Sequence, residues 1–147
     1  MTGELCMHVR TFQLSDYYAL TELLKNSLSD DCYDDTIKAL TNQLSWDCDL
    51  VLLAELENNI VGFIIGTIDD QNGYCYRIAV ESKYQRKGIG KLLLETLKQR
   101  FMQRKVKKIM VTVDTHNEVL IPFYRSAGYV PSDFSHAAER LSIVKHA

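Results

Sequence analysis

The chain has 147 residues, of which 46% are hydrophobic and 24% are charged, a balance typical of one globular domain spanning residues 1–147. No apolar run approaches the roughly 20 residues that span a bilayer, the start lacks the apolar segment of a secretory signal, and a net charge of −2 disfavours general nucleic-acid binding. The uneven spacing of Cys6, Cys32, Cys48 and Cys75 predicts reduced thiols in a cytoplasmic protein, with no metal site.

The first half of the chain predicts a strand, two helices and an antiparallel hairpin. A strand is expected at residues 9–12, and a helix capped by Ser15 or Asp16 is expected to run to about residue 26. A second helix is predicted at residues 34–44. The hairpin joins strands 50–55 and 60–68 through a tight turn at Asn58-Asn59.

The second half predicts strands that alternate with helices. After a loop at residues 69–73, a strand at 74–80 leads into a helix at 88–104, followed by a strand at 108–113 and a helix at 119–127 that stops at Gly128. Short strands are expected around Tyr129 and at 137–144. Because a hairpin precedes this alternation, the expected class is α/β (α+β mixed), with helices on both faces of a mixed sheet.

A glycine-rich basic segment lies between the strand at 74–80 and the helix that follows it. It reads Gln85-Arg86-Lys87-Gly88-Ile89-Gly90-Lys91. Glycine lets a ligand approach the backbone, and cations beside free helix N–H groups suit a phosphate or pyrophosphate. The spacing excludes a P-loop, which would need glycine at Gln85 and Ser or Thr at Leu92, and a dinucleotide fingerprint, which would need glycine at Leu93.

The pattern Gln-x-x-Gly-x-Gly after a strand resembles the acetyl-coenzyme A signature of the GNAT superfamily of N-acetyltransferases. A second signature of that superfamily is matched by Asn117, by Phe123-Tyr124 and by Gly128 followed by an aromatic residue. The stretch from Arg77 to Gly90 is similar to those of ribosomal-protein-alanine and YpeA-type acetyltransferases, and the motifs do not separate these branches. The resemblance covers nearly the whole chain and implies a mostly antiparallel sheet with splayed central strands.

The resemblance also implies a cosubstrate, acetyl-CoA, and the residues that hold it. The backbone of the strand end would pair with the pantetheine arm, the glycine segment would hold the pyrophosphate, and Asn117 would hydrogen-bond the arm. Tyr124 would protonate the leaving thiolate, since a phenol with a pKa near 10 is protonated at neutral pH. The implied cofactor-binding residues are Ile78, Ala79, Val80, Gln85, Arg86, Lys87, Gly88, Ile89, Gly90, Lys91, Asn117 and Tyr124.

The general base is left open by the sequence. At the two positions where family members place a glutamate, this chain has Thr112 and Tyr74. Glu81 is taken as the catalytic candidate, with Asp114, His116 and a water relay as alternatives. Six acidic residues are candidates for attracting a cationic amine, although a solvated helix start would explain the first four equally well: Asp30, Asp31, Asp34, Asp35, Asp69 and Asp70.

The function indicated is acetyl-CoA-dependent transfer of an acetyl group to a primary amine, either a small molecule or a protein N-terminus, by direct attack on the thioester. The alternative is a catalytically weak acyl-CoA-binding module with a sensing or scaffolding role. Neither function needs a metal, and the expected partners are acetyl-CoA and an amine acceptor. No nucleic-acid or membrane partner is expected, and a homodimer is kept open.

Overall fold

The computed structural model describes residues 7–136, which form one mixed sheet with helices on both faces. The sheet has six strands in chain order; the first four pair with one another antiparallel, and the fifth and sixth are added in parallel to the fourth. The strands are Met7–Thr11 (β1), Val51–Leu56 (β2), Asn59–Asp69 (β3), Asn72–Val80 (β4), Lys108–Thr112 (β5) and Phe134–Ser135 (β6). The helices are Tyr17–Ser27 (α1), Asp30–Trp46 (α2), Ile89–Gln103 (α3) and Ile121–Ser126 (α4). The predicted fold class is confirmed.

Two hydrophobic cores lie on opposite faces of this sheet. On one face, Leu93, Leu97 and Phe101 of α3 pack on strand residues such as Ile64 and Ile78. On the other face, α1 and α2 contribute Leu20, Leu24 and Leu40, which pack against Phe63, Ile65 and Tyr76. Each fully buried side chain of this size contributes about 1.5–3 kcal/mol, so the sheet is stabilised from both sides.

Helix α2 begins four residues earlier than the sequence predicted. Ser29 caps it, because its side-chain oxygen accepts a hydrogen bond from the Cys32 N–H at 3.2 Å, and Asp30 and Asp31 occupy the first turn, where the helix dipole favours acids. The buried stripe of this helix begins at Cys32. The predicted start at residue 34 was therefore wrong, because the polar first turn hid both the cap and the first core residue.

Both hairpin turns consist of two residues with positive φ. Glu57 and Asn58 have φ values of 50° and 70°, and Asp70 and Gln71 have 52° and 71°. This is the backbone of a type I′ turn, whose twist matches that of the flanking strands. The first turn therefore lies one residue before its predicted position, and the predicted loop at 69–73 is shortened because β3 and β4 pair as far as Asp69 and Asn72.

The chain after α4 does not form the strand expected around Tyr129. The Tyr129 N–H instead donates to the Tyr124 carbonyl and closes the helix end. Pro131 then begins a 3-10 turn that extends to Asp133, and the strand follows directly at Phe134, where β6 pairs with the end of β5. The strand predicted at 137–144 lies outside the described residues.

Candidate functional site

Strands β4 and β5 separate partway along their length. They pair in parallel from Asn72 and Lys108 to Cys75 and Val111, but β5 ends at Thr112 whereas β4 continues to Val80. On the other side, β4 stays paired with β3 up to Val80 and Gly62. The last residues of β4 therefore have one edge without a strand partner, as the resemblance implied.

The direction of the backbone groups on this edge follows from the pairing with β3. The Glu81 N–H donates to the Val61 carbonyl at 2.8 Å. Because successive residues of a strand point their N–H and C=O groups to opposite sides, those of Ile78 and Val80 point to the open side. The Val80 carbonyl accepts from Gln85 Nε2 at 2.9 Å, which ties the glycine segment to the end of the strand.

A cavity of about 590 Å³ runs beside this open edge. Eight of the predicted cofactor-binding residues line it: Ile78, Ala79, Val80, Gln85, Arg86, Gly88, Gly90 and Lys91. Lys87, Ile89, Asn117 and Tyr124 are not among its lining residues, and Ile89 is buried in the core. Sequence reasoning missed Ser27, Leu28, Leu120 and Ser126, which also line the cavity, because nothing local relates the end of α1 to the start of α3.

The glycine segment forms a concave turn that leads into α3. Arg86 and Gly88 have φ values of 64° and 86°, both in the left-handed region. The first intrahelical bond of the segment runs from the Leu92 N–H to the Gly88 carbonyl at 3.0 Å, so the N–H groups that precede Leu92 are the ones a helix leaves without an intrahelical partner. With Arg86 and Lys91 beside them, they make a site suited to a pyrophosphate.

Phe123 forms part of the cavity wall and also packs against the core beneath α3. It is half-buried, and its ring lies 3.3 Å from the position that a Cβ on Gly90 would occupy. Glycine at position 90 therefore lets the aromatic ring approach the first turn of α3. The local pattern could not distinguish Phe123 from Tyr124, because neighbouring helix residues both sit on apolar positions.

Tyr124 is buried at 1% exposure beside Phe123. Its hydroxyl and that of Thr112 are the two buried hydroxyls among residues 7–136 with no hydrogen-bond partner. Burial, together with the neighbouring Cys75 and Tyr129, raises the Tyr124 pKa well above its usual value, so the hydroxyl keeps its proton. An unsatisfied buried donor costs about 1–3 kcal/mol, which marks it as a group available to a ligand.

Asn117 occupies the point where β4 and β5 separate. Its side-chain Nδ2 donates to the Thr112 carbonyl at 2.8 Å and to the Tyr76 carbonyl at 3.4 Å, while its Oδ1 accepts from the Asp114 N–H at 2.8 Å. Both amide hydrogens are therefore engaged with strand carbonyls. A hydrogen bond from them to the pantetheine arm, as the resemblance implied, would have to replace one of these two.

The candidate bases lie in three different surroundings. Glu81 lines a second cavity, of about 490 Å³, between α1 and the start of β3, and pairs with Lys83 at 3.9 Å. Asp114 binds the guanidinium of Arg77. His116 Nε2 lies 3.1 Å from Asp35 Oδ2. The structure thus brings one residue of the acidic group on α2 to the loop that follows β5.

Metal-ligand clusters and membrane-spanning helices are both absent from the described residues. No group of three or more His, Cys, Asp or Glu side chains between residues 7 and 136 is arranged to hold a metal ion. Within the same range, none of the helices has the length and apolar character needed to cross a membrane.

Comparison with known proteins gives a family for this chain. A family model described as the acetyltransferase (GNAT) family matches residues 17–129. That range begins at the first residue of α1 and ends just after α4, so it contains both the open strand edge and the glycine segment.

Solved structures share the fold at low sequence identity. The PaiA N-acetyltransferase of Thermoplasma acidophilum, in complex with coenzyme A, is 21% identical with a TM-score of 0.72, over 85% of this chain and 90% of that one. The ribosomal-protein-S18-alanine N-acetyltransferase of Escherichia coli is 20% identical with a TM-score of 0.63, over 84% and 77%. The diaminobutyrate acetyltransferase EctA of Paenibacillus lautus, with its substrate and coenzyme A, is 24% identical with a TM-score of 0.66, over 84% and 75%.

Proposed function

The chain belongs to the acetyltransferase (GNAT) family, whose model matches residues 17–129, and we propose that it transfers an acetyl group from acetyl-CoA to a primary amine. Membership confirms the predicted family, the assignment as an N-acetyltransferase and the cosubstrate, acetyl-CoA, which this family's enzymes use. The acceptor amine and the roles of individual residues are the parts that the proposal adds.

The observation that carries the proposal is the open edge of β4 beside the glycine segment. A pantetheine arm is long and carries amide groups, so it pairs with exposed strand backbone as an added strand does. The groups of Ile78 and Val80 on this edge face the cavity side, and the turn at Arg86 to Lys91, which follows after one 3-10 turn, lines the same cavity. One cavity therefore offers partners for both the amide arm and the pyrophosphate.

The reaction proceeds by direct attack on the thioester. The neutral amine nitrogen bonds to the acetyl carbonyl carbon, and the carbonyl oxygen becomes an oxyanion. The N–H of Val80, which points to the open side, is placed to donate to that oxygen. The carbon–sulfur bond then breaks, the nitrogen gives up a proton to a base, and the departing thiolate takes one from an acid.

Tyr124 is the proposed acid. Its hydroxyl is protonated and has no hydrogen-bond partner among residues 7–136. Its ring contacts that of the neighbouring Phe123, which forms part of the cavity wall, at a centroid distance of 5.2 Å. A positioned acid or base typically contributes about 10²–10⁴-fold to the rate. Because Tyr124 does not line the cavity, this role requires that its hydroxyl become accessible to the sulfur when the arm binds between α4 and the open strand edge.

Glu81 is retained as the proposed base for an amine that enters through the second cavity. Its backbone follows Val80 directly, and its side chain lines the cavity formed with α1. Glu22 lines the same cavity, so two carboxylates are available to attract a cationic amine there. This route brings acceptor and coenzyme to the strand end from different sides.

The test measures coenzyme binding and turnover separately. Calorimetry with coenzyme A is expected to show binding, and thiol release from acetyl-CoA is expected to rise when an amine substrate is added. The amine panel follows the similar structures: peptides with N-terminal alanine, aminoglycosides and L-2,4-diaminobutyric acid. Binding of coenzyme A without acetylation of any amine would favour the acyl-CoA-binding module, and absence of binding would overturn both.

A further inference from the structure

We propose that Arg77 is a positioning residue for the coenzyme site: acting through Asp114 and Asn117, it keeps β4 and β5 apart. The inference deepens the proposed function and rests on it. Arg77 does not line the cavity, and its guanidinium lies on the α2 side of the sheet, where it contacts Thr36. Its effect on coenzyme binding would therefore be exerted through the strands.

The position of Arg77 depends on an irregularity in the pairing of β3 with β4. Ile65 pairs with Arg77, but the next residue, Gly66, pairs with Cys75, so Tyr76 is the extra residue of a bulge. A bulge interrupts the alternation of side chains. Tyr76 and Arg77 consequently both contact the α1–α2 side, while Ile78 returns to the core beneath α3.

Arg77 is 2% exposed, and its guanidinium contacts residues of β4, of α2 and of the loop after β5. A buried cation is costly unless it is paired and hydrogen-bonded. Its two Nη atoms donate to the Asp114 carboxylate at 3.2 and 3.1 Å, its Nε donates to the Thr36 hydroxyl at 3.1 Å, and Nη2 donates to the Tyr76 hydroxyl at 3.1 Å. β4, α2 and the loop after β5 thus meet at this one side chain.

Asp114 connects Arg77 to the backbone of the loop after β5. Its Oδ1 also accepts from the N–H groups of His116 and Asn117 at 2.9 and 3.1 Å. Burial disfavours its charged form, but the bonds and charge of Arg77 and the two backbone donors outweigh that effect and hold the Asp114 pKa below its usual value. The loop is therefore tied to a charged group that Arg77 keeps in place.

Asn117 belongs to this fixed loop, and its side chain holds β4 and β5 apart. Its amide lies between the carbonyls of Tyr76 and Thr112, one on each strand. Paired strands lie about 4.7–4.9 Å apart, a spacing that leaves no room for an inserted side-chain amide. While Asn117 stays there, β5 cannot extend its pairing towards Ile78, and the edge that receives the arm stays open.

The decisive experiment compares Arg77→Met with a matched variant, Arg10→Met. Arg10 makes the same kind of bidentate contact, to Asp16 at 2.8 and 2.9 Å, and Asp16 also accepts a backbone N–H, that of Gln13. That pair lies at β1, an edge strand separated by β2 and β3 from the place where β4 and β5 diverge. Calorimetry with coenzyme A is run at a temperature at which both variants are folded by circular dichroism.

Arg77→Met is expected to raise the dissociation constant of coenzyme A at least about tenfold, about 1.4 kcal/mol, while Arg10→Met leaves it within about twofold. Arg77→Lys is expected to recover part of the loss, because it restores the charge but not the bidentate geometry. Equal binding by wild type and Arg77→Met, or equal weakening by both methionine variants, would overturn the inference.

If Arg77→Met does not fold, Asp114→Asn decides the question instead, with Asp16→Asn as its control. Asp114→Asn keeps an acceptor for the loop N–H groups but removes the charge that holds Arg77. It is expected to weaken coenzyme binding at least about threefold relative to its control, and no weakening would overturn the inference. Wild-type protein that fails to bind coenzyme A would contradict the proposed function itself, which separates the two failures.

Discussion

A single unsatisfied hydroxyl has opposite consequences for stability and for activity. The Tyr124 hydroxyl has no partner in the described structure, so it lowers the free energy of unfolding, yet it is the proton donor that the proposed chemistry needs. The residue therefore offers a test in which the two effects have different signs.

We predict that Tyr124→Phe lowers kcat at least about tenfold without changing coenzyme A affinity, because only the acid is lost. The same substitution should leave the free energy of unfolding unchanged or raise it, because it removes an unpaired polar atom. Steady-state kinetics, calorimetry and urea unfolding measure the three quantities. Tyr129→Phe, whose ring lies 5.9 Å from that of Tyr124, is the control, and an unchanged kcat for Tyr124→Phe would contradict the assignment.

The base is tested by comparing two carboxylates in the second cavity. We predict that Glu81→Gln lowers kcat at least about tenfold, because the amine loses its proton acceptor. Glu22→Gln should affect mainly the KM of a cationic amine, since it removes attraction alone. The measurement is steady-state kinetics with the best amine of the panel. Similar effects of the two substitutions would show that Glu81 acts through its charge and that the base lies elsewhere.

At the scale of elements, the docking of α3 depends on two glycines in the sheet. A Cβ at Gly73 would lie 2.8 Å from the ring of Phe101, and one at Gly66 would lie 2.9 Å from Leu97. The helix therefore approaches the sheet more closely than side chains at these positions would allow. Since the first turn of α3 belongs to the proposed phosphate site, this packing also sets where that turn lies relative to β4.

We predict that Gly73→Ala lowers the free energy of unfolding by about 1–3 kcal/mol, because the added methyl overpacks the ring of Phe101. Urea unfolding of the single variants and of Gly73→Ala with Phe101→Leu makes a double-mutant cycle. The smaller leucine should relieve the clash, giving a favourable coupling between the two sites. Additive effects would mean that the helix moves away from the sheet at little cost.

At the scale of the whole molecule, charged pairs join elements that are far apart in sequence. Arg10 binds Glu55, 45 residues later, as well as the nearby Asp16, and Arg77 binds Asp114, 37 residues later. Hydrogen bonds from Arg10 outweigh burial and hold the Asp16 pKa below its usual value. For Asp114, burial is the largest influence, but Arg77 and the loop N–H groups overcome it in the same direction. The stability of the fold therefore depends on the ionisation of both carboxylates.

We predict that stability falls as the pH drops below about 4. A carboxylate whose pKa is lower in the folded protein stabilises it above the unfolded pKa, near 3.9, and that stabilisation is lost as the pH falls through the folded pKa. Urea unfolding at near-neutral pH and at about pH 3 measures the difference. Asp16→Asn should show a smaller loss than wild type, and an equal loss would mean that this pair does not carry the acid sensitivity.

The sequence by itself determined the kinds of elements, their order and the family, and it located the glycine segment that we propose as the phosphate site, because these depend on local signals. The recurrence of hydrophobic residues every three to four positions predicted α3, and the spacing of Gln85, Gly88 and Gly90 predicted the turn before it. Boundaries were less well predicted where a polar cap such as Ser29 hid the start of a helix, or where two-residue turns shortened a loop.

Only the tertiary structure decided which side chains meet. Arg77 and Asp114 are 37 residues apart, and no periodicity relates one to the other. It likewise decided that Phe123 forms part of the cavity wall while Tyr124 is enclosed, that Glu81 lines a second cavity, and that Asn117 bridges two strands. Local propensity governs backbone conformation, whereas the partner of a side chain depends on how distant segments pack. Burial and charge pairing act between those segments once the sheet has brought them together.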